Sequence, residues 1–427
     1  MKFNKKVNWL TPFWGLVLAA VFSMGLGAPA GAVTLDELMD TAMDKRALIK
    51  AQEAMLGKSR EEVSRVKGRF LPTIDLGYQY NSLDQADLSE TERSFFQSRA
   101  TATWNLFSGF KDINDLNSAK KQQEIRQLIL KGAEQDIRLE VALDFLKVFG
   151  AVAYLEVAED ALSLYRKEQH NVELKYKVGV LKKNDLLKVK VEAANALQQV
   201  LKARARQDQA VNDLGLKTVT QVKSAQLNFD CFDRIPVLDD PARYQTLLME
   251  NRSEIKVLRC CVEDFKIRVN SAKAMFYPKL DLVSQYLHRD DGPGTSDSGE
   301  ESRVLLQGTI NLFDGFRKNR ELGKARLDVV KARADLTELE RKMTNSLDNL
   351  FLDFSVSLKN MEVADKSRIE AQENLRITRL AFEKGILTSA DLLDAIYYLS
   401  RARFKLVDSR ITMFQNSFRI LRMVETL

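Results

Sequence analysis

Two hydrophobic periods alternate along this chain, and each occurs twice. From Thr73 the apolar positions recur every second residue, with Ile74, Leu76, Tyr78 and Tyr80 alternating with Thr73, Asp75, Gly77, Gln79 and Asn81. That period predicts a strand with one apolar, aromatic face and one wettable face. Beyond a polar loop around 84–87, a return strand sets Ala100, Ala102, Trp104 and Leu106 against Arg99, Thr101, Thr103 and Asn105. The pattern returns with Leu280, Leu282 and Tyr286 against Asp281 and Gln285, then Leu306, Ile310 and Leu312 against Gln307, Thr309 and Asn311. Between the strand pairs the period is helical. From Lys111 to Lys177 no proline occurs, Gly132 and Gly150 are the only weak points, and Val141, Phe145, Val148, Val152, Leu155 and Leu162 recur at spacings of three and four. A continuous helix of that length runs on the order of 100 Å, and its apolar stripe calls for coiled-coil-like packing.

The two halves keep a constant offset of 206 residues. Phe70-Leu71-Pro72-Thr73-Ile74-Asp75-Leu76 returns as Phe276-Tyr277-Pro278-Lys279-Leu280-Asp281-Leu282, and Asn105-Leu106-Phe107-Ser108-Gly109-Phe110 as Asn311-Leu312-Phe313-Asp314-Gly315-Phe316. Tyr176-Lys177-Val178-Gly179 with Asp185-Leu186-Leu187 returns as Phe382-Glu383-Lys384-Gly385 with Asp391-Leu392-Leu393. We read 33–221 and 239–427 as two copies of one unit, joined by a linker at 222–238. Each copy is predicted as helix, β-hairpin (about 72–107 and 278–313), long helix, tip turn (about 178–184 and 384–390) and helix. Such a unit rarely buries its own faces, so the repeat implies an assembly.

The ends and the charge narrow the setting. Lys2, Lys5 and Lys6 precede an apolar core at 13–22 and the small residues Ala30-Gly31-Ala32, the three-part pattern of a secretory signal over 1–32. Its core is shorter than the ~20 residues of a spanning anchor. Loss of that leader takes the formal charge from +6 to +3, a balance that points to neither nucleic acid nor an acidic substrate. No later stretch is apolar enough for a spanning helix, so passage through a membrane falls to the strands. A soluble half-buried sheet alternates in the same way. The flanks favour the membrane: strands of about 9–11 residues suit a tilted crossing, and Phe70, Trp104, Phe107, Phe110, Tyr277, Phe313 and Phe316 gather at the helix-proximal ends, as aromatic residues do at a membrane interface. Four strands cannot close a barrel, and an open edge in lipid leaves backbone groups unpaired. Several chains must then share one barrel; three would give twelve strands, and two or four also give even numbers.

Catalytic chemistry finds little footing. The only histidines, His170 and His288, belong to no repeated site, and there is no ligand cluster, nucleophile constellation or phosphate-binding glycine loop. We expect no enzyme, no cofactor and no metal. Cys260 and Cys261 fall where the first copy has Ala54 and Met55, which suggests buried helix positions, and Cys231 lies in the linker. Inert thiols are the simpler reading, although an exported chain would permit a disulfide from Cys231.

In their ordered double occurrence, the Leu-Pro or Tyr-Pro strand starts, the Asn-Leu-Phe-x-Gly-Phe strand exits and the Gly followed six residues later by Asp-Leu-Leu resemble the TolC-like outer-membrane efflux protein family over essentially the whole mature chain. The resemblance implies a mainly α fold with β: a homotrimer whose twelve-stranded barrel spans the outer membrane, in contact with its lipid, and continues as a long α-helical barrel in the periplasm. It implies a passive exit duct for efflux or type I secretion, docked to a periplasmic adaptor (membrane fusion) protein and an inner-membrane pump of RND or ABC type. Lys177-Val178-Gly179-Val180 resembles the family's tip motif, with Lys384-Gly385-Ile386 a looser copy. Asp391 and Asp394 match the aspartates that ring the narrowest point; a helix cap plus a solvated acid is the plainer reading of the same pair. Phe382 and Leu387 depart from the tyrosine and arginine that close the tip in the best-known relative. The two tips also differ in charge, with +5 over 166–190 and −1 over 372–396. Lys175, Lys177, Lys182 and Lys183 would form a basic side that orients the adaptor. The rival functions are a periplasmic adaptor and a coiled-coil structural protein.

Overall fold

The computed structural model describes residues 33–82, 94–290 and 298–427; the leader expected over 1–32 and both hairpin tips lie outside them. The first half runs α1 (Leu35–Lys45), α2 (Ala47–Lys67), β1 (Thr73–Ser82), β2 (Ser94–Phe107), α3 (Lys111–Lys177) and α4 (Lys183–Thr218). The second runs α5 (Pro241–Asn251), α6 (Ser253–Lys273), β3 (Lys279–Asp290), β4 (Ser298–Thr309), α7 (Arg317–Glu383) and α8 (Ser389–Val424). Every helix starts and ends 206 residues before its counterpart.

Local chemistry sets these boundaries. Thr34 and Glu37 close a capping box on α1, and Asp240 caps α5, where Pro241 supplies a preset first turn. A short 3₁₀ turn, Gly68–Phe70, ends at Leu71, which precedes Pro72 and is extended. At the strand-to-helix corners, Gly109 and Phe110, and again Gly315 and Phe316, hold successive left-handed conformations with φ from 65° to 72°. Glycine takes this freely, whereas phenylalanine does so at a cost of about 1–3 kcal/mol. Each corner Phe meets the ring three residues before it edge-on: Phe107 with Phe110 at 5.1 Å, and Phe313 with Phe316 at 5.5 Å.

The four strands form one antiparallel sheet in the order β1-β2-β3-β4. Thr73 pairs with Thr103, Thr103 with Val283 and Lys279 with Thr309. The register carries the apolar face across all strands, with Ile74 beside Ala102, Trp104 beside Leu282 and Leu282 beside Leu306. That face is bare: Ile74 is 78% and Leu76 82% exposed. β4 stops at Thr309, so Ile310 and Leu312 lie outside the strand the alternation predicts for them. The reason is pairing. In β2 the equivalent stretch is 104–107, where Trp104 pairs with Leu282 and, across a bulge, Asn105 and Phe107 rest on Asp281 and Leu280 of β3, whereas 310–313 have no strand beside them among the described residues.

α3 is covered in two halves. Near the tip it packs against α4, with Arg204 bonded to Glu159; near the sheet it packs against α2, with Arg69 bonded to Asp115. Where the two partners meet, Glu140 holds both Arg46, at the start of α2, and Lys217, at the end of α4. The main core lies at this level. Phe145, Leu146, Leu347, Met413 and Ile420 are fully buried there, and the linker inserts Phe232 among Phe145, Phe149 and Phe414. A second core, with Leu162, Tyr165, Val172, Leu186, Leu375, Phe382 and Ile396, joins the two helical hairpins toward the tip.

Candidate functional site: the helical tip

Both tip turns use one device. Val180 donates its amide to the Lys175 carbonyl and Gly179 donates to Tyr176; Ile386 donates to Ala381 and Gly385 to Phe382. These paired bonds satisfy the last carbonyls of α3 and α7, and they require the left-handed glycine that Gly179 (φ 80°) and Gly385 (φ 76°) supply. The result is a blunt end from which Lys177, Val178, Gly179, Val180, Lys182, Lys183, Lys384, Gly385 and Ile386 all project into solvent. Val178, Val180 and Ile386 are apolar and about seven-tenths exposed, an arrangement that an isolated hairpin would not favour.

The turns differ where the next helix begins. Thr388 accepts the Asp391 amide, while the Asp391 carboxylate accepts the Thr388 hydroxyl at 2.6 Å and its amide at 2.8 Å. These hydrogen bonds hold the exposed Asp391 carboxyl below its ordinary range. At the start of α4 the N-cap position is instead Lys182, which offers no side-chain cap. Asp391 is thus engaged with its own helix end. Asp394 is also exposed and lies along a groove of about 610 Å³ between α4 and α8, facing Lys188, Glu192, Tyr165 and Tyr397. Burial pushes the Tyr165 phenol up to about 12, with Glu192 and Asp394 adding to it, so it stays a protonated donor.

The two hairpins are latched by groups that the motifs do not announce. Lys175 of α3 places its ammonium 4.0 Å from the Phe382 ring centroid and 3.5 Å from the Phe382 carbonyl oxygen. Phe382 is only 4% exposed. This contact occupies Phe382, and it draws Lys175 away from the free basic face expected of it. Lys177 leans on Glu173 at 3.7 Å. Glu168 escaped the sequence reading altogether. It is buried beside this latch, its carboxyl raised by desolvation against the pull of Asn171, Lys175 and Arg379. The signal for it was a break in period: Tyr165, Glu168 and Val172 occupy one buried stripe, and an acid there needs a reason.

At the other end, Trp104 donates its indole N–H to the Phe70 carbonyl at 3.0 Å, and Phe110 meets Tyr277 edge-on at 5.9 Å. Phe70, Trp104, Phe107, Phe110, Tyr277, Phe313 and Phe316 therefore stand where the sheet joins the helices. Cys231, Cys260 and Cys261 are free thiols, and burial, reinforced by Glu124, raises Cys260 to about 11. Among the described residues no helix is long and apolar enough to cross a membrane.

The model of the family described as outer membrane efflux protein matches residues 38–216 and 245–424. A putative multidrug resistance outer membrane protein of Shigella flexneri, MdtQ, is 23% identical over 313 residues, covering 69% of this chain and 62% of that protein, so the chain spans less than two thirds of this relative. The fold is that of a membrane protein from Pseudomonas aeruginosa, with a TM-score of 0.80 at 17% identity over 91% of this chain and 90% of the other. It is equally that of the outer membrane protein VceC of Vibrio cholerae, with a TM-score of 0.76 at 16% identity over 91% and 95%.

Proposed function

From the premise that this chain belongs to the outer membrane efflux protein family, we propose that it is the outer-membrane duct of a tripartite efflux or type I secretion system. Three copies share a twelve-stranded barrel in the lipid, their helices form a periplasmic tube, and the tip docks on a periplasmic adaptor beneath which an inner-membrane pump of RND or ABC type supplies the cargo. The observation that carries this reading is the sheet. A four-stranded sheet with a bare apolar face and two unpaired edges is unstable in water, and closure with other copies in lipid satisfies both.

Transport through such a duct asks for no bond chemistry. It asks for a wall, a polar lumen and a closable end. The face opposite Ile74 and Leu76 presents Asp75, Gln79, Arg99, Thr101, Gln285 and Arg303 to the lumen. At the tip, threefold symmetry gathers three Asp391 and three Asp394 around one axis, where carboxylates attract cations and repel anions until the helices part. Planar-bilayer conductance of the purified protein tests both levels. Absence of channels rejects the duct; unchanged conductance and cation preference in Asp391→Ala with Asp394→Ala rejects the constriction. The adaptor surface comprises Val178, Val180, Ile386, Lys182, Lys183 and Lys384. Reversal of Lys182 and Lys183 to Glu is expected to abolish adaptor cross-linking, and unimpaired cross-linking and export would remove the basic side from the surface.

A further inference from the structure

We propose that the groove between α4 and α8 is a subsite inside the duct for an aromatic ammonium ion, held over Tyr165 and Tyr397 between Glu192 and Asp394. The inference rests on the duct reading, which turns Asp394 toward the lumen, and it names what the duct holds there. The two walls are equivalent positions of the two units: Lys188 stands opposite Asp394, Val191 opposite Tyr397 and Asn195 opposite Arg401, each pair 206 residues apart. The side of the helices that carries Asp394 therefore carries them all. The groove of about 610 Å³ runs on into a second of about 500 Å³, with Tyr165, Glu192 and Tyr397 common to both. That is room for a drug-sized molecule, and from Ala390 to Phe404 it follows α8 for about 21 Å away from the tip.

The floor is what marks this groove as more than a valley between helices. Tyr165 of α3 is 6% exposed and lines both parts of it, yet its hydroxyl has no hydrogen-bond partner among the described residues. A buried phenol normally finds one. The equivalent residue of α7 is Ala371, so the packing of the repeat does not call for a phenol here. Glu192, Asp394 and Tyr397 all act on that hydroxyl, adding to the burial that keeps it protonated.

Charge decides the occupant. At the end nearer the tip Glu192 and Asp394 outnumber Lys188 by one, and none of the three is in an ion pair among the described residues. A single ammonium group balances that excess. Its N–H bonds find the two carboxylates and the spare Tyr165 oxygen, while the half-exposed Tyr397 ring offers cation–π attraction. An aromatic body then extends away from the tip toward Phe404, which stacks on Tyr154 at 5.5 Å. Arg401 stands at that far end, where it repels a second positive charge.

Equilibrium dialysis of the purified protein tests this, with 9-aminoacridine, a monocation near neutral pH, against acridine, its neutral counterpart. Saturable binding of the cation at one per copy is expected, with acridine at least about tenfold weaker. Glu192→Gln and Tyr397→Ala should each weaken cation binding about three- to tenfold. Lys188→Gln should tighten it about threefold, a gain that a damaged fold would not produce. Equal binding of the two probes, or cation binding unmoved by all three substitutions, overturns the subsite. So does a loss confined to Asp394→Asn, which places the cation on the constriction alone. Each of those results leaves the duct standing wherever the same protein forms channels in planar bilayers, and absence of channels rejects the duct itself.

Discussion

Asp391 and Asp394 are three residues apart on α8, yet their environments divide the work between them. Asp391 spends its carboxylate on Thr388, so Asp391→Asn should speed amide exchange in the first turn of α8, whereas Asp394→Asn should change ion preference and leave exchange there untouched. Glu168 is a second residue-scale case. Its carboxyl is raised by burial and one oxygen has no hydrogen-bond partner, so the charged form is disfavoured in the folded protein. A raised folded pKa means that stability declines as pH climbs from the ordinary carboxyl range through the folded value. Glu168→Gln should therefore leave the melting temperature at pH 5 nearly unchanged and raise it at pH 8. Lys175→Met keeps the stem over Phe382 but removes the cation, and should increase the open probability of single channels. Glu168 was not legible from motifs, and Lys175 was read only as part of a basic side, because the latch joins positions 207 apart in the chain and arises from which faces the hairpins turn toward each other.

At the scale of elements, the helices were the most readable part. A proline-free span with a three-and-four stripe, closed by glycine, leaves few alternatives to α3 and its cap at Gly179. Strand ends were less so, since alternation in Ile310 and Leu312 does not reveal whether a neighbour is present to pair with them. The linker was read only as a connector, and its aromatic residues turn out to fill the core: Phe232 is 1% exposed among five other rings. Phe232→Ala should cost about 3–5 kcal/mol by urea unfolding. By contrast Gly385→Ala, with open space around it but φ of 76°, should cost about 1–2 kcal/mol, confined to the tip.

For the whole molecule, the two units are held in register by ions that the repeat does not share. Arg422, 3% exposed, bonds Asp136, Glu254 and the Gly132 carbonyl, while Glu425 takes the Ser253 amide and hydroxyl and Lys131. The first unit has Leu216 and Val219 in the places of Arg422 and Glu425. Burial works to raise the Glu425 carboxyl, but those donors outweigh it and hold it below the ordinary range. A depressed folded pKa gives stability that is present above the unfolded value and lost as pH falls through the folded one. Acid unfolding below about pH 4 should thus be shifted upward in Lys131→Met, measured by circular dichroism.

The junction at Glu140 has a mechanical meaning. At that height α4 ends and α2 begins, and α3 passes straight through; α7 does the same in the second unit. A wall built of short plates on two uninterrupted rods bends at the joint between plates. Were the tip to splay about this joint, Phe145, Phe232 and Met413 would stay packed at the collar and the strands above it would be spared the strain. Such a duct needs no flexible hinge sequence, because a staggered joint in its lining does the same office.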